Sequence, residues 1–446
     1  MAGARSAALK ALLHVEEGKG YSNLVLDSVL RTSSLAPRDR SLAAAIFYGV
    51  LDRRIALDYL LGFYSKRPVG KLSPTVREIL RMGTYQIRYL DKIPPSAAVN
   101  ESVKLAKENG ESRASGFVNA VLRSMLRAPE KAKLPDRTAD PLLWRSVRYS
   151  CPIPLIRFWQ KSYGGDLTDA ILEGTASQAD VFLRVNNTRI TEQQLIERLR
   201  AEGIETEPAP WPENALRVTG GTAALRQTDC CAGGLFHIQD ISSQLCCRTL
   251  GPQAGERVLD VCAAPGGKAF TLAEQMENRG AVEAFDLYPA RTALVRKGAE
   301  QLGLSAVRAS VRDAADPEVG LPPADRVLCD VPCSGLGVIR RKPEIRYKFP
   351  ASIDSLPDLQ YRILCKSSAL VKAGGVLVYS TCTLNPAENG GIAGRFLGES
   401  GGTFEPLPLG LPEGIFRRFQ EPANQLTLFP CAAGSDGFFL SAFRKK

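Results

Sequence analysis

The chain has 446 residues, of which 44% are hydrophobic and 23% charged, and its formal net charge is +10. That length calls for two or three domains rather than one core. No apolar run approaches the eighteen or so residues needed to cross a bilayer, so a soluble, cytoplasmic protein without membrane contacts is expected.

The charge is unevenly placed. Residues 1–150 hold 25 Lys and Arg against 14 Asp and Glu, whereas the remainder holds 32 against 33. A basic front joined to a near-neutral body suits a protein that grips phosphates with one part and does chemistry with the other. A solvated basic face is the bland alternative. The start, Met1-Ala2-Gly3-Ala4-Arg5, runs into a charged amphipathic helix and carries no signal-peptide pattern.

Residues 1–128 read as all helix. Leu9, Leu12, Leu26, Val29, Leu42, Ile46, Val50, Leu57 and Leu61 recur at three- and four-residue steps. Breaks fall at Gly18, Gly20, Pro37, Pro68, Pro74, Pro94-Pro95 and Pro129. Arg31, Arg38, Arg40, Arg53, Arg54, Arg77, Arg81 and Arg88 are expected on outer faces. Residues 129–145 are polar and proline-containing, as a linker should be. Residues 146–235 alternate weakly between helix and strand and read as a small α+β extension. There, 182–186 and 216–218 are expected strands and 191–202 an expected helix. His237, between Phe236 and Ile238, is expected to pack rather than to catalyse.

From residue 236 onward the pattern changes. Strands are expected at 257–261, 282–286, 307–311, 326–330 and 376–380, with helices at 268–277, 290–302, 356–371 and 387–397. This alternation implies an α/β, doubly wound sheet. Residues 427–429 and 438–443 offer two late antiparallel strands.

The first expected strand runs into Cys262-Ala263-Ala264-Pro265-Gly266-Gly267-Lys268. Small residues let backbone approach a ligand, and the helix start offers free N–H groups. Asp286 ends the next strand, where an acidic residue takes a ribose diol, and Asp313 follows the third, suited to an adenine amino group. Ribose and adenine without G-x-G-x-x-G favour S-adenosylmethionine over a dinucleotide. Lys268 is a candidate for the cofactor carboxylate.

Two later strands end at Asp330-Val331-Pro332-Cys333-Ser334-Gly335 and Ser380-Thr381-Cys382-Thr383. Each cysteine therefore lies past the carboxyl end of a strand, where open α/β sheets bind ligands. Two thiols and a carboxylate on one rim imply covalent chemistry. Residue chemistry alone leaves Cys333 and Cys382 equally eligible as nucleophile. Cys262, Cys329 and Cys365 read as structural. With eleven cysteines, no Cys-x-x-Cys and two histidines, reduced thiols are expected and a metal site is not. Arg340, Arg341, Lys342, Arg346 and Lys348 follow the Pro-Cys segment and read as a basic lip for a nucleic-acid backbone.

Two resemblances cover nearly the whole chain. Arg38-Asp39-Arg40, a turn at Gly49-Val50-Leu51, Arg77 through Gln86 and Phe117-Val118-Asn119-Ala120-Val121-Leu122-Arg123 resemble the NusB-type RNA-binding helical domain. The Cys-Ala-Ala-Pro-Gly-Gly-Lys, Asp-x-Pro-Cys-Ser-Gly and Ser-Thr-Cys-Thr strings, with Asp436-Gly437-Phe438-Phe439, resemble the NOL1/NOP2/Sun family of RNA cytosine-5 methyltransferases. The combination is similar to that family's bacterial 16S ribosomal RNA branch. The resemblance implies a Rossmann-like class I S-adenosylmethionine-dependent sheet over 236–446 and a monomer acting on 16S rRNA, naked or partly assembled. It implies cofactor contacts from residues 262–268, Asp286, Asp313 and Asp330. It also implies Cys382 as the nucleophile at cytosine C6, Cys333 in product release, and Asp330 at the N3/N4 edge. Another RNA (tRNA or 23S rRNA), or a non-catalytic antitermination factor, are the alternatives. Tyr347, Ala387 and Cys431 depart from the family pattern.

Overall fold

The computed structural model describes residues 3–446 except 19, 317–320, 351–352, 413, 416 and 431–433. Cys431 is therefore outside the described residues. The chain divides into two compact units. One comprises Met1–Ala176 with Ile339–Pro350, and the other comprises Ser177–Val338 with Ala351–Lys446.

The first unit is helical, as the apolar periodicity requires. Its longer helices are Ala4–Glu16, Pro37–Asp52, Pro74–Tyr89, Pro95–Glu108 and Ser115–Arg127. Leu9, Leu12, Ile46, Phe47, Leu57, Ile79, Leu80, Val118 and Leu122 meet in one core. Two glycines permit close packing. A Cβ on Gly83 would lie 2.6 Å from Leu122, and one on Gly49 would fall within the Tyr85 ring. Gly49 is thus an interior residue of the helix Pro37–Asp52, not the expected turn.

Several arginines expected on outer faces are structural instead. Arg81 is 2% exposed; it reaches Asp58 Oδ1 at 2.7 Å and Oδ2 at 2.6 Å, and also pairs with Glu78. Arg77 pairs with Glu16. Arg31, Arg38, Arg40 and Arg88 are exposed, as expected.

The segment Ile339–Pro350 also departs from expectation. Arg346, read as part of a basic lip, is 2% exposed. Its guanidinium donates to the carbonyls of Asp52 (3.4 Å), Tyr149 (3.2 Å) and Ser150 (3.4 Å). The Tyr347 hydroxyl donates to the Leu51 carbonyl at 2.8 Å, and buried Glu344 accepts the Ser22 N–H at 2.8 Å. These groups close helix ends from within, which is what buried polar groups must do.

The second unit carries two sheets among the described residues. Strands β1 (Val181–Val185), β2 (Glu205–Pro208), β3 (Ala215–Gly220) and β4 (Phe236–Ile238) form an antiparallel sheet in the order β2-β3-β1-β4. The larger sheet uses β5 (Arg257–Asp260), β6 (Ala281–Asp286), β7 (Val307–Val311), β8 (Ala324–Asp330), β9 (Val371–Thr381), β10 (Phe404–Pro406), β11 (Gln425–Leu428) and β12 (Phe438–Lys445). Their order is β10-β12-β9-β8-β5-β6-β7, with β11 beside β12. The pairs β5–β6, β5–β8, β6–β7 and β8–β9 are parallel, and β12 is antiparallel to β9. This is the expected Rossmann-like arrangement, with the strand order switching direction at β5.

Both faces of that sheet are covered. Val258, Leu328, Val378 and Leu440 enter one core. Leu259, Val327, Leu377 and Phe439 enter another on the opposite face. Continuous apolar strands follow from this two-sided burial. The helix before β9 ends at Ser368, and β9 begins five residues earlier than expected. Ala324 pairs with Val371 before the register shifts, and Gly374 takes φ +77 at that irregularity.

Candidate active site

Asp330 and Ser380 are paired across β8 and β9. The segments that follow these strands consequently leave the sheet side by side at its carboxyl edge. The Cys333 and Cys382 sulfurs are 3.1 Å apart. Backbone contacts account for this proximity. The Gly337 N–H donates to the Cys382 carbonyl at 3.0 Å, and the Gly437 N–H donates to the Gly337 carbonyl at 2.9 Å. A Cβ on Gly337 would lie 2.0 Å from the Gly437 oxygen, so only glycine fits. Asp436-Gly437-Phe438-Phe439 thus supplies the third wall of the cysteine rim. On its other side, Asn389 accepts from the Thr381 hydroxyl at 2.6 Å and donates to the Thr383 carbonyl at 3.0 Å, bracketing Cys382.

Lys268 lies in the first turn of the helix Gly267–Gln275. Its ammonium donates to Asp330 Oδ2 at 2.7 Å, and the Ser380 hydroxyl donates to Oδ1 at 2.8 Å. Burial works most strongly of all against the ammonium charge, but the charge and hydrogen bond of the adjoining Asp330 carboxylate, together with the nearby Cys246 and Cys247 sulfurs, hold the Lys268 pKa above its ordinary value. The structure therefore joins Lys268 from the cofactor loop to Asp330 from the cysteine rim.

Cys333 keeps its proton. The Cys382 sulfur beside it, then burial, then the Cys382 and Glu388 charges, all push its thiol well above the ordinary range. Glu388 is a residue that sequence reasoning passed over. It is buried, and its carboxylate accepts the Ser334 N–H at 2.9 Å. The signal available was its place six residues after Cys382, in a stretch without apolar periodicity. Cys329 is fully buried, and burial pushes its thiol up to about 12, as befits a structural cysteine.

At the cofactor end, the Ala263 N–H donates to the Phe285 carbonyl at 2.7 Å and the Gly266 N–H to the Ala263 carbonyl at 2.8 Å. Gly266 has φ +114, and a Cβ there would strike the Phe270 ring. Asp286 accepts the Ala264 and Tyr288 N–H groups, each at 3.3 Å. Arg291, also unread from the sequence, lies 3.3 Å from Asp286 and donates to the Ala264 carbonyl at 2.9 Å. It staples the loop to the end of β6. Asp313 is exposed and accepts the Ala315 N–H at 2.8 Å, a bond within its own loop.

Asp260, at the end of β5, is 1% exposed, and neither of its oxygens has a partner in good hydrogen-bond geometry. Burial, followed by the nearby Asp330 charge, pushes its pKa up to about 7, and the Lys268 charge and then the Cys262 amide offset only part of this. An orphaned buried carboxylate beside an amide-rich loop suits a ligand that brings N–H donors and positive charge. With Asp286 at the neighbouring strand end, the donor set fits S-adenosylmethionine.

His237 packs as expected. Its ring lies 5.7 Å from that of Phe270, and Nδ1 is 3.4 Å from Glu274. Among the described residues no helix is long and apolar enough to cross a membrane, and no cluster of three His, Cys, Asp or Glu side chains is arranged to hold a metal ion.

Residues 247–444 match the profile of 16S rRNA methyltransferase RsmB/F. Residues 2–127 match the NusB family, and 152–224 match the ferredoxin-like domain of RsmF/B-like methyltransferases. The probable ribosomal RNA small subunit methyltransferase B of Bacillus subtilis (strain 168) is 39% identical over 448 residues, spanning 99% of this chain and 98% of that protein. Among solved structures, PH0851 shares the fold with a TM-score of 0.81 and 23% identity, covering 98% of each chain. NSun6 from Pyrococcus horikoshii with SFG superposes with a TM-score of 0.59 and 20% identity, covering 66% of this chain and 98% of that one.

Proposed function

The chain belongs to the ribosomal RNA small subunit methyltransferase B family, and from that premise we propose that it methylates C5 of a cytosine in 16S rRNA through a covalent adduct on Cys382. The observation that carries this reading is the Cys333–Cys382 pair at 3.1 Å on the rim that also holds Asp330 and Lys268. Cytosine C5 is too weak a nucleophile to accept a methyl group unaided. Cys382, as thiolate, adds to C6; the sulfur–carbon bond forms as the C5=C6 electron pair moves onto C5 and the ring. Asp330, held by Lys268 and Ser380, is suited to the N3/N4 edge, where charge develops. S-adenosylmethionine, when bound, supplies the methyl group. Residues 262–268, Asp286, Asp260 and, by family resemblance, Asp313 would hold it.

The cysteine pair also gives an order to the second half of the reaction. Adduct formation converts the Cys382 sulfur into a neutral thioether. That removes the largest influence holding the proton on Cys333. Cys333 can then lose its proton to solvent and, as thiolate, take the C5 proton. The C5=C6 bond re-forms and the C6–S bond breaks, returning Cys382 as thiolate. Cys333 becomes a base only once it is needed.

The cytosine must be unpaired or flipped to reach the sulfurs, so naked or partly assembled 16S rRNA is the expected substrate. The exposed arginines of the helical unit suit its phosphates. The test is transfer of labelled methyl from S-adenosylmethionine to purified 16S rRNA, followed by nucleoside analysis. Label in 5-methylcytidine supports the reading, whereas label in another nucleoside, or none, overturns it. Transfer to tRNA or 23S rRNA alone would instead identify a different substrate for the same chemistry.

A further inference from the structure

The scheme above gives no task to Glu388, although it lies between the two cysteine segments. It is 0% exposed. Its Oε2 accepts the Ser334 N–H at 2.9 Å and the Gln360 Nε2 at 2.8 Å; its Oε1 accepts the Ser334 hydroxyl at 2.5 Å and the Asn385 Nδ2 at 2.9 Å. Four donors converge on one carboxylate. Two of them belong to the residue directly after Cys333, and one belongs to the residue three after Cys382. The Tyr379 hydroxyl, near the end of β9, donates to the Glu388 carbonyl at 2.6 Å. Ser334 Oγ also lies 2.6 Å from Thr383 Oγ1, so the segments meet a second time beside the carboxylate.

We propose that Glu388 is a positioning residue that clasps the Pro-Cys segment to the Ser-Thr-Cys-Thr segment and thereby fixes the separation of the two sulfurs. The proposal rests on the reading of Cys382 and Cys333 given above. Two sulfurs that serve adjacent carbons of one pyrimidine ring must be held to within a fraction of an ångström, and a fully satisfied buried carboxylate is a rigid way to do so. A neutral amide cannot replace it. Asn385 Oδ1 already accepts the Ala387 N–H at 3.1 Å, so Asn385 keeps its amino group toward Glu388. The Ser334 and Gln360 N–H groups occupy the other edge. Glu388→Gln therefore sets N–H against N–H whichever way it turns.

The test compares full-length wild type, Glu388→Gln and Ser334→Ala by two readouts. The first needs no RNA. Hydrogen peroxide takes two electrons and two protons from adjacent thiols, giving a disulfide and two waters, and peptide mass spectrometry follows the Cys333–Cys382 cross-link. Because a disulfide demands close, oriented sulfurs, Glu388→Gln is expected to cross-link roughly tenfold more slowly than wild type. The second readout is turnover, where kcat is expected to fall about 100-fold with KM for RNA nearly unchanged. Ser334→Ala keeps the backbone tie and carries both tests at smaller amplitude, including the case in which Glu388→Gln does not fold. Wild-type cross-linking rates in every folded variant would overturn the clasp. Slowed cross-linking with undiminished turnover would uphold the clasp geometry but overturn the positioning role and the assignment of these cysteines to catalysis.

Discussion

Lys268→Met isolates the ion pair that joins the cofactor loop to the cysteine rim. The Lys268 ammonium lies 2.7 Å from Asp330, with side chains 12% and 28% exposed respectively. Removing one member of a largely buried pair leaves the other charge uncompensated, at a cost of about 3 kcal/mol. Asp260, already an orphaned buried carboxylate, loses the same nearby cation. For a unit of this size the loss corresponds to a fall of roughly 6–12 °C in Tm. The double variant Lys268→Met/Asp330→Asn removes both charges and should recover most of that stability, since a neutral pair of similar volume carries no desolvation penalty. It should recover no methyl transfer. The assay is thermal unfolding at pH 7 alongside methyl transfer to 16S rRNA. A double variant as unstable as the single one would refute the electrostatic account, because the loss would then lie in packing.

Three further outcomes are expected. Cys382→Ala abolishes methyl transfer, while Cys333→Ala accumulates protein covalently bound to RNA; a denaturing gel without a shifted band for the latter would undo the division of labour. Asp260 has a folded pKa raised from 3.8 to about 7, so its stabilising contribution is complete below pH 4 and is lost as pH rises through 7. Asp260→Asn should therefore match wild type in unfolding free energy near pH 4 and exceed it by up to about 4 kcal/mol above pH 7, and equal stability differences at both ends would refute this. Arg346→Met takes the guanidinium donor from the carbonyls of Asp52 and Tyr149 and one of two donors from that of Ser150, which the Tyr347 hydroxyl also reaches; a loss of about 2–4 kcal/mol is expected by denaturant unfolding, with its signature in the helical unit.

The large sheet was legible because its central parallel strands, buried on both faces, are written as apolar runs that end in a polar residue at the same edge. Asp260, Asp286 and Asp330 mark those ends directly. The beginning of β9 was not legible. Val371-Lys372-Ala373-Gly374-Gly375 carries no strand pattern, and it is extended because Ala324 pairs with Val371 across an irregularity that Gly374 alone can turn. The basic residues misled for a related reason. Arg81 and Arg346 have the composition of surface, and only tertiary pairing with Asp58, Glu78 and three distant carbonyls reveals them as interior. Charge counts therefore overstate the basic face of the helical unit, and Arg31, Arg38, Arg40 and Arg88 are the better measure of it.

The choice between the two cysteines turns on the same distinction. Residue type and strand position make Cys333 and Cys382 equivalent, and neither periodicity nor spacing separates them. On the reading proposed above, their surroundings do. Cys333 precedes the serine whose N–H and hydroxyl are both bound by Glu388, and the Glu388 charge is among the influences, after the Cys382 sulfur and burial, that push the Cys333 thiol up. A negative charge there disfavours a thiolate on Cys333 in the resting protein and strengthens that sulfur as a base once the adduct has formed. With a single proton between two sulfurs 3.1 Å apart, biasing it toward Cys333 favours the anion on Cys382. On the proposed reading, the nucleophile is then distinguished by a carboxylate on its own segment that binds the residue after the other cysteine, a relation between residues 334 and 388 that no linear motif contains.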